Sequence, residues 1–307
     1  MLNFIIRRLF TTIVLAVVLV AVVFLMLRTI VPGDPIQTLA GDFASPETVE
    51  ALRRNQGLDK PLHIQFFIFL KNALKGDLGI SIFTGLPVTD RVVAAYPVTI
   101  RLTFYCFILS MTLGLFVGVI TSYFHDTWID NITRIISVTF ASLPTFWLGL
   151  MLILLFAVWL NILPVQGDMM TSTGWILPAI TLSLGSASTL ARLVRSSMLE
   201  VLNSEYIRTA RAKGVGETAV VLKHALRNAL VPIITVAGFQ IGGLLGGAVV
   251  TENIFGLPGM GTLMINAINN RDYPVIQGTI LFTAFTYLGV TIIVDVMYAY
   301  VDPRIRY

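Results

Sequence analysis

The sequence predicts an all-α integral membrane protein with six transmembrane helices. Three observations carry that expectation. The 307 residues are 56% hydrophobic and only 12% charged, where soluble domains carry about a quarter charged residues. Six long windows lack Asp, Glu, Lys and Arg altogether. The basic residues fall unevenly between those windows, as they do when one side of a bilayer retains them.

The elements follow in order. A helix needs about 20 apolar residues to cross the hydrocarbon layer. Leu9–Leu27 is the first such run, just after Arg7 and Arg8. It exceeds the apolar core of a signal peptide and no A-x-A cleavage pattern follows, so it is expected to remain as a membrane helix. The next windows are Leu102–Phe124, Ile135–Trp159, Trp175–Ala191, Ala229–Thr251 and Pro274–Val294. Pro144 and Pro178 are expected to interrupt the third and fourth, because proline removes a backbone hydrogen bond.

Residues from about 32 to 100 form an insertion with local order. Ser45-Pro46-Glu47 reads as a helix start: a hydroxyl cap, a first-turn proline and an acid at the positive helix end. A second helix is expected over Pro61–Lys75, with Leu62, Phe66, Phe67, Phe69 and Leu70 along it. "GDLGIS", 76–81, breaks it with turn residues. The chain reads as one membrane domain, 1–307, with this single insertion.

Orientation follows from basic residues in short loops. Arg7, Arg8, Arg134, Arg192, Arg195, Arg304 and Arg306 fall on one side with the basic run 208–227, whereas 160–174 has no Lys or Arg and 252–273 has only Arg271. Both termini are therefore expected to be cytoplasmic. The net charge of +4 is explained by this retention, without nucleic acid.

Local catalytic signatures are missing. There is no G-x-x-x-x-G-K-[ST] phosphate loop and no H-E-x-x-H, and "AKGVGETA" lacks the Lys-Ser/Thr ending. His63, His125 and His224 lack metal-ligand spacing, and the single cysteine, Cys106, has no partner for an intrachain disulfide. No metal site and no cofactor are expected in the chain. An ion-coupled carrier needs ionisable groups deep in the membrane; the six windows hold none, and Asp295 lies toward the inner end of the last helix. A channel needs a polar-lined helix, and no window shows one.

The segment "EYIRTARAKGVGETAVVLKHALRN", 205–228, concentrates Arg208, Arg211, Lys213, Lys223 and Arg227 between two apolar windows. Ala210 and Gly214 are small residues four apart, and Gly214 with Gly216 is expected to end a first helix. A second stretch, Val220–Leu230, returns to the membrane and is expected to end at Pro232. Small residues flanked by cations suit a helix lying in a groove on a partner; a basic patch facing lipid is the alternative. The fifth window carries Gly238, Gly242 and Gly246 on one face, with Gly243 and Gly247 beside it. Such spacing lets membrane helices approach closely, within a subunit or between subunits. Ser142, Thr145, Ser183 and Ser186 are polar groups for a wet path or for neighbouring helices.

Residues 205–232, "EYIRTARAKGVGETAVVLKHALRNALVP", resemble the cytoplasmic coupling loop of ABC-transporter permease subunits, most closely those of the dipeptide, oligopeptide and nickel import family. The likeness continues through "MLNFIIRRL" (1–9), "VPGDP" (31–35), "GLDKPL" (57–62), "GDLGIS" (76–81), "RSSMLEVL" (195–202), "ENIFGLPGMG" (252–261), "NRDYPVIQG" (270–278) and "VDPRIRY" (301–307). The general coupling pattern opens with Glu-Ala-Ala. Here Arg208 and Thr209 precede Ala210, and Pro232 falls late, as is typical of the peptide and nickel branch.

The resemblance implies the type I ABC importer permease fold, the first permease of a pair, with a coupling loop at about 199–228. It implies that Arg208, Ala210, Arg211, Lys213 and Gly214 contact an ATPase. It implies that Gly238, Gly242, Gly246, Ser142 and Thr145 lie at the permease interface or the translocation path. Asn253, Arg271 and Asp272 would lie near an outer gate where a binding protein docks, Arg271 and Asp272 pairing with each other or meeting that protein. The implied partners are a homologous second permease, two ATPases carrying ATP and Mg, an extracytoplasmic substrate-binding protein and membrane lipid. The implied cargo is a di- or oligopeptide; glutathione, nickel chelates and metal–opine complexes also travel through this permease type.

Overall fold

The computed structural model of the chain describes residues 2–29, 36, 45–55, 57–166 and 171–301. "VPGDP" at 31–35 and residues 302–307 of the terminal motif lie outside them, as does the side chain of Asp295. Among the described residues, regular structure is helical, apart from one isolated bridge between Ile80 and Pro87.

Helix α1 runs Leu2–Thr29. In the insertion, α2 is Pro46–Asn55 and α3 is Leu62–Ala73. The expected cap is present: Thr48 N donates to Ser45 Oγ at 3.2 Å. The aromatic residues of α3 divide between faces. Phe66 and Phe69 meet Phe24 of α1, with centroids 5.5 and 6.3 Å away, while Phe67 is exposed.

Helix α4, Val88–Tyr123, starts far earlier than the apolar window and carries Pro97 inside it. Helices α5, Trp128–Ser142, and α6, Thr145–Leu152, meet at a bend of 106°. Leu143 is extended there, with ψ 131°, because the residue before a proline is pushed out of the helical region. The helix beyond α6 loosens into a π-turn, Ile153–Trp159.

Helix α7, Ile176–Leu202, corrects one expectation. Pro178 lies in its first turn, where its missing N–H costs nothing, so it does not interrupt the span. Helix α8, Glu205–Ala212, and α9, Glu217–Ala219, form the arm. A second π-turn, Val220–Ala225, leads into α10, Leu226–Phe255. Pro232 lies inside α10; the helix continues past it instead of ending there. Helices α11, Met260–Asn269, and α12, Tyr273–Val301, complete the chain.

Four helices are long and apolar enough to cross a membrane, and the bent α5–α6 pair makes a fifth span if counted as one; α1 contributes an apolar stretch over Phe10–Met26. The chain packs as two compact units. One is built around Ile100–Leu257 and the stretch from Gly289. Its largest helix contact is between α7 and α10. On α4 of this unit, a Cβ at Gly114 would stand 2.7 Å from Leu190, and one at Gly118 would stand 2.5 Å from Val194. Only glycine lets these two helices lie so close. The other unit comprises Ile6–Thr99 and Pro258–Leu288. Its core joins Leu78, Val88, Val92, Met260, Tyr273 and Ile276.

Candidate functional site

The arm is tightly built. Gly214 adopts φ +79°, a left-handed conformation open to glycine at little cost. Val215 N donates to Ala210 O at 3.2 Å and Gly214 N to Arg211 O at 2.9 Å, the double bond pattern of a glycine-terminated helix. Ile207 is fully buried, packed with Val194 and Met198 of α7 and Val220, Ala225 and Ala229 of the returning segment. Asn228 Nδ2 donates to the Tyr206 hydroxyl at 2.8 Å and to His224 O at 2.9 Å. One apolar side chain and one polar link thus fasten α8 to its base.

The other face of the arm is charged and exposed. Arg208 donates to Glu205 at 2.9 Å. Arg211 grips Glu217 with two bonds, Nε to Oε2 at 3.1 Å and Nη2 to Oε1 at 2.6 Å. That hydrogen bonding holds the Glu217 carboxyl below its usual range and raises the Arg211 guanidinium, burial opposing both. Lys213 and Gly214 are exposed and Ala210 half-buried. The structure therefore brings all five residues singled out for docking onto one short element. Lys213 has no ion pair among the described residues.

A cavity of about 490 Å³ lies in the same unit, between α5, α6, α7 and α10. Thr145 lines it, as do Ser186, Thr189, Gln240, Gly243 and Gly247, and no lining residue carries a formal charge. Ser142 is exposed and outside the lining. The Thr181 and Thr189 hydroxyls donate to carbonyls of their own helix, at 2.7 and 3.1 Å. Gln240 Oε1 is buried and meets no donor. Nothing in the sequence marks it out, where it is one glutamine in an apolar window.

The glycines of α10 divide by surroundings. A Cβ at Gly238 would stand 2.2 Å from Val294, and one at Gly247 would stand 2.7 Å from Leu182, whereas Gly243 and Gly246 face open space. Gly242 is half-buried. Gly238 and Gly247 therefore serve packing within the chain.

In the other unit, Asp272 is buried. Its carboxylate accepts from Ser81 Oγ at 2.5 Å and from Ile82 N at 3.0 Å, with Arg91 Nη1 at 3.7 Å. Asp272 thus pairs with Arg91 and not with its neighbour Arg271, which is exposed with φ 52°. Asn253, at the end of α10, is exposed.

One buried carboxylate gave no sequence signal at all. Asp130, in the first turn of α5, receives Arg195 Nε at 2.7 Å and Nη2 at 2.6 Å. Arg134 Nε stands 3.7 Å away, and Asp126 N donates to the carboxylate at 3.1 Å.

Comparison with known proteins matches residues 110–307 to the family described as binding-protein-dependent transport system inner membrane component. Residues 1–103 match the N-terminal family of such membrane components. The glutathione transport system permease protein GsiC of Escherichia coli strain K12 is 40% identical over 310 residues, covering all of both chains. Its counterpart from Salmonella choleraesuis is 39% identical over the same length. The fold is similar to that of the MetNI methionine ABC transporter in inward-facing conformations, with TM-score 0.59 and 20% identity over 69% of this chain and 96% of that one. An amino acid ABC transporter crystallised with histidines gives TM-score 0.55 and 15% identity, over 69% and 94%.

Proposed function

Because the chain belongs to the binding-protein-dependent transport system inner membrane component family and is the permease subunit of an ABC importer, we propose that it forms half of a translocation path for short peptides and couples that path to ATPases through the 205–228 arm. The observation that carries the coupling role is the arm itself. Ile207 and Tyr206 fasten it rigidly to α7 and α10, while Arg208, Arg211 and Lys213 stand exposed beside the Gly214 turn.

In this reading the path is completed by a homologous second permease, to which Gly246 and its open neighbours face. Two cytoplasmic ATPases hold ATP and Mg, and an extracytoplasmic binding protein delivers the cargo. ATP hydrolysis belongs to those partners; this chain binds, moves and shields. Nucleotide-driven closure of the ATPases shifts the population between outward- and inward-open states. Counting α1, α4, the bent α5–α6 pair, α7, α10 and α12 as spans makes six crossings of one membrane domain, 1–307, with both termini cytoplasmic. Basic residues retained beside the arm support that orientation. Residues from about 32 to 100 then form an outer insertion, with Asn253, Arg271 and Asp272 on the same side.

The lining carries no charge to hold a cargo of either sign tightly, and its hydroxyl and amide groups can exchange hydrogen bonds with a peptide. Glutathione, a tripeptide and the cargo named for the 40%-identical relative, is the first probe. Tagged chain purified from its native membrane is expected to bring a P-loop ATPase and a second permease in stoichiometric amounts. Vesicles containing that complex and its binding protein are expected to accumulate glutathione only with ATP. A chain that purifies alone and moves solute without ATP overturns the reading.

A further inference from the structure

Arg195 opens the motif "RSSMLEVL", and neither the arm nor the cavity accounts for this residue. It lies on α7, about two turns before that helix ends at Leu202. Its bidentate partner, Asp130, is fully buried at the start of α5, and Phe140 and Ala141 near the other end of α5 line the cavity. Both carboxylate oxygens are occupied, by Arg195 and by Asp126 N and Arg134. The arm rests on the same stretch of α7, through Ile207 against Val194 and Met198.

We propose that the Asp130–Arg195 pair is a positioning element that makes the α5 wall of the cavity follow displacements of the arm. The proposal rests on the importer reading above. Three physical points support it. Apolar helix contacts in lipid have no hydrophobic driving force of their own and permit sliding. A guanidinium–carboxylate fork fixes direction and plane. A buried ion pair is a poor source of net stability, since well-packed apolar residues of similar volume do as well or better. What this pair adds to the α5–α7 contact is therefore geometry. Elsewhere on α7, Leu190 and Val194 are seated against Gly114 and Gly118 of α4, which sets depth but not rotation. A push on α8 moves the end of α7, Arg195 carries Asp130 with it, and α5 pivots at the Leu143–Pro144 break. The opening between Phe140 on α5 and Ser186 and Thr189 on α7 changes as a result.

The test uses the complete complex in vesicles, with glutathione as cargo, and reads glutathione accumulated per ATP hydrolysed. Three variants are compared with wild type: Asp130→Asn, Arg195→Lys, and the paired apolar replacement Asp130→Leu with Arg195→Leu. The paired replacement keeps the helices packed without a directional bond. Expected is ATP hydrolysis retained in assembled complexes, with cargo moved per ATP lower by on the order of tenfold in all three variants. Overturning results are a cargo-to-ATP ratio unchanged in Arg195→Lys, or one restored by the paired apolar replacement. Loss of transport only in proportion to assembled complex also overturns it, because each of these assigns the pair to folding. A wild-type complex showing no ATP-driven uptake overturns the importer reading together with the proposal.

Discussion

The Ser81 hydroxyl donates to Asp272 Oδ2 at 2.5 Å across 191 positions of sequence, and Ile82 N donates to the other oxygen of the same carboxylate. A turn rich in glycine is thereby tied to the start of α12. Asp272→Ala removes the acceptor for both donors and leaves Arg91 facing a buried gap. Arg91 is partly exposed, but leaving a buried donor without its acceptor costs about 1–3 kcal/mol. Thermal unfolding in detergent is expected to show a loss of that order, and protease is expected to nick 79–86 faster. Arg271→Ala, one residue away and exposed, is expected to change stability by no more than about 0.5 kcal/mol. Equal effects at the two positions would refute the assignment.

Two glycines on different helices are expected to respond with opposite signs. At Gly118 an added Cβ would stand 2.5 Å from Val194 and 2.7 Å from the Ala191 carbonyl oxygen. Backbone cannot rotate away, so Gly118→Ala is expected to incur an overpacking cost of about 1–3 kcal/mol. At Gly246 nothing stands within 4 Å, and alanine gains up to about 1 kcal/mol of helix propensity. Gly246→Ala is expected to stabilise the isolated chain yet lower the yield of co-purified second permease. Melting temperature and pull-down yield, measured together, separate the two effects.

Ile207→Ala is expected to loosen the arm. The side chain is fully buried, and truncating such a group costs about 2–5 kcal/mol. Hydrogen exchange over 205–215 is expected to accelerate while α4 and α7 stay protected. Unchanged exchange in the arm would mean that Ile207 does not anchor it.

The Arg211–Glu217 link gives the arm a pH dependence of defined sign. Its partner holds the Glu217 carboxyl below the usual range, whose centre for glutamate is about 4.3. A depressed carboxylate contributes fully above that value and loses its contribution as pH falls through the lower folded value. A spin label at Lys213→Cys is expected to report constant mobility from neutral pH down to about 5, and rising mobility below about 4. Both residues are substantially exposed, so the effect is small, and Glu217→Gln is expected to abolish the pH dependence. Cys106 is buried and is expected to stay unlabelled.

Local signals were readable and distant ones were not. Ser45-Pro46 announces α2, and Gly214 announces the end of α8, because a cap and a left-handed glycine act within a few residues. Apolar windows locate α7, α10 and α12 because lipid demands length. Pro178 misled because a first-turn proline lacks only an N–H that would go unbonded anyway, whereas Pro232 lies inside α10 and shows that a proline need not end a membrane helix. The Asp130–Arg195 and Ser81–Asp272 pairs join residues 65 and 191 positions apart; neither partner has a neighbour in sequence that betrays the other. The orphaned acceptor of Gln240 likewise becomes meaningful only once α5, α6 and α7 close around α10.

The π-turn at Val220–Ala225 amounts to an extra residue wedged into a helical staircase. Each residue of an α-helix advances about 100° around the axis, so the wedge sets the azimuth at which α10 leaves the arm. Wound as regular α-helix, the same residues would let the steps run evenly. Every side chain of α10 would then be turned by about 100° relative to the arm, carrying Gln240 and the open edge at Gly246 away from their present bearings. The six-residue segment thus works as a key cut: it stores no chemistry of its own, yet it determines which side of α10 looks into the cavity beside α5, α6 and α7.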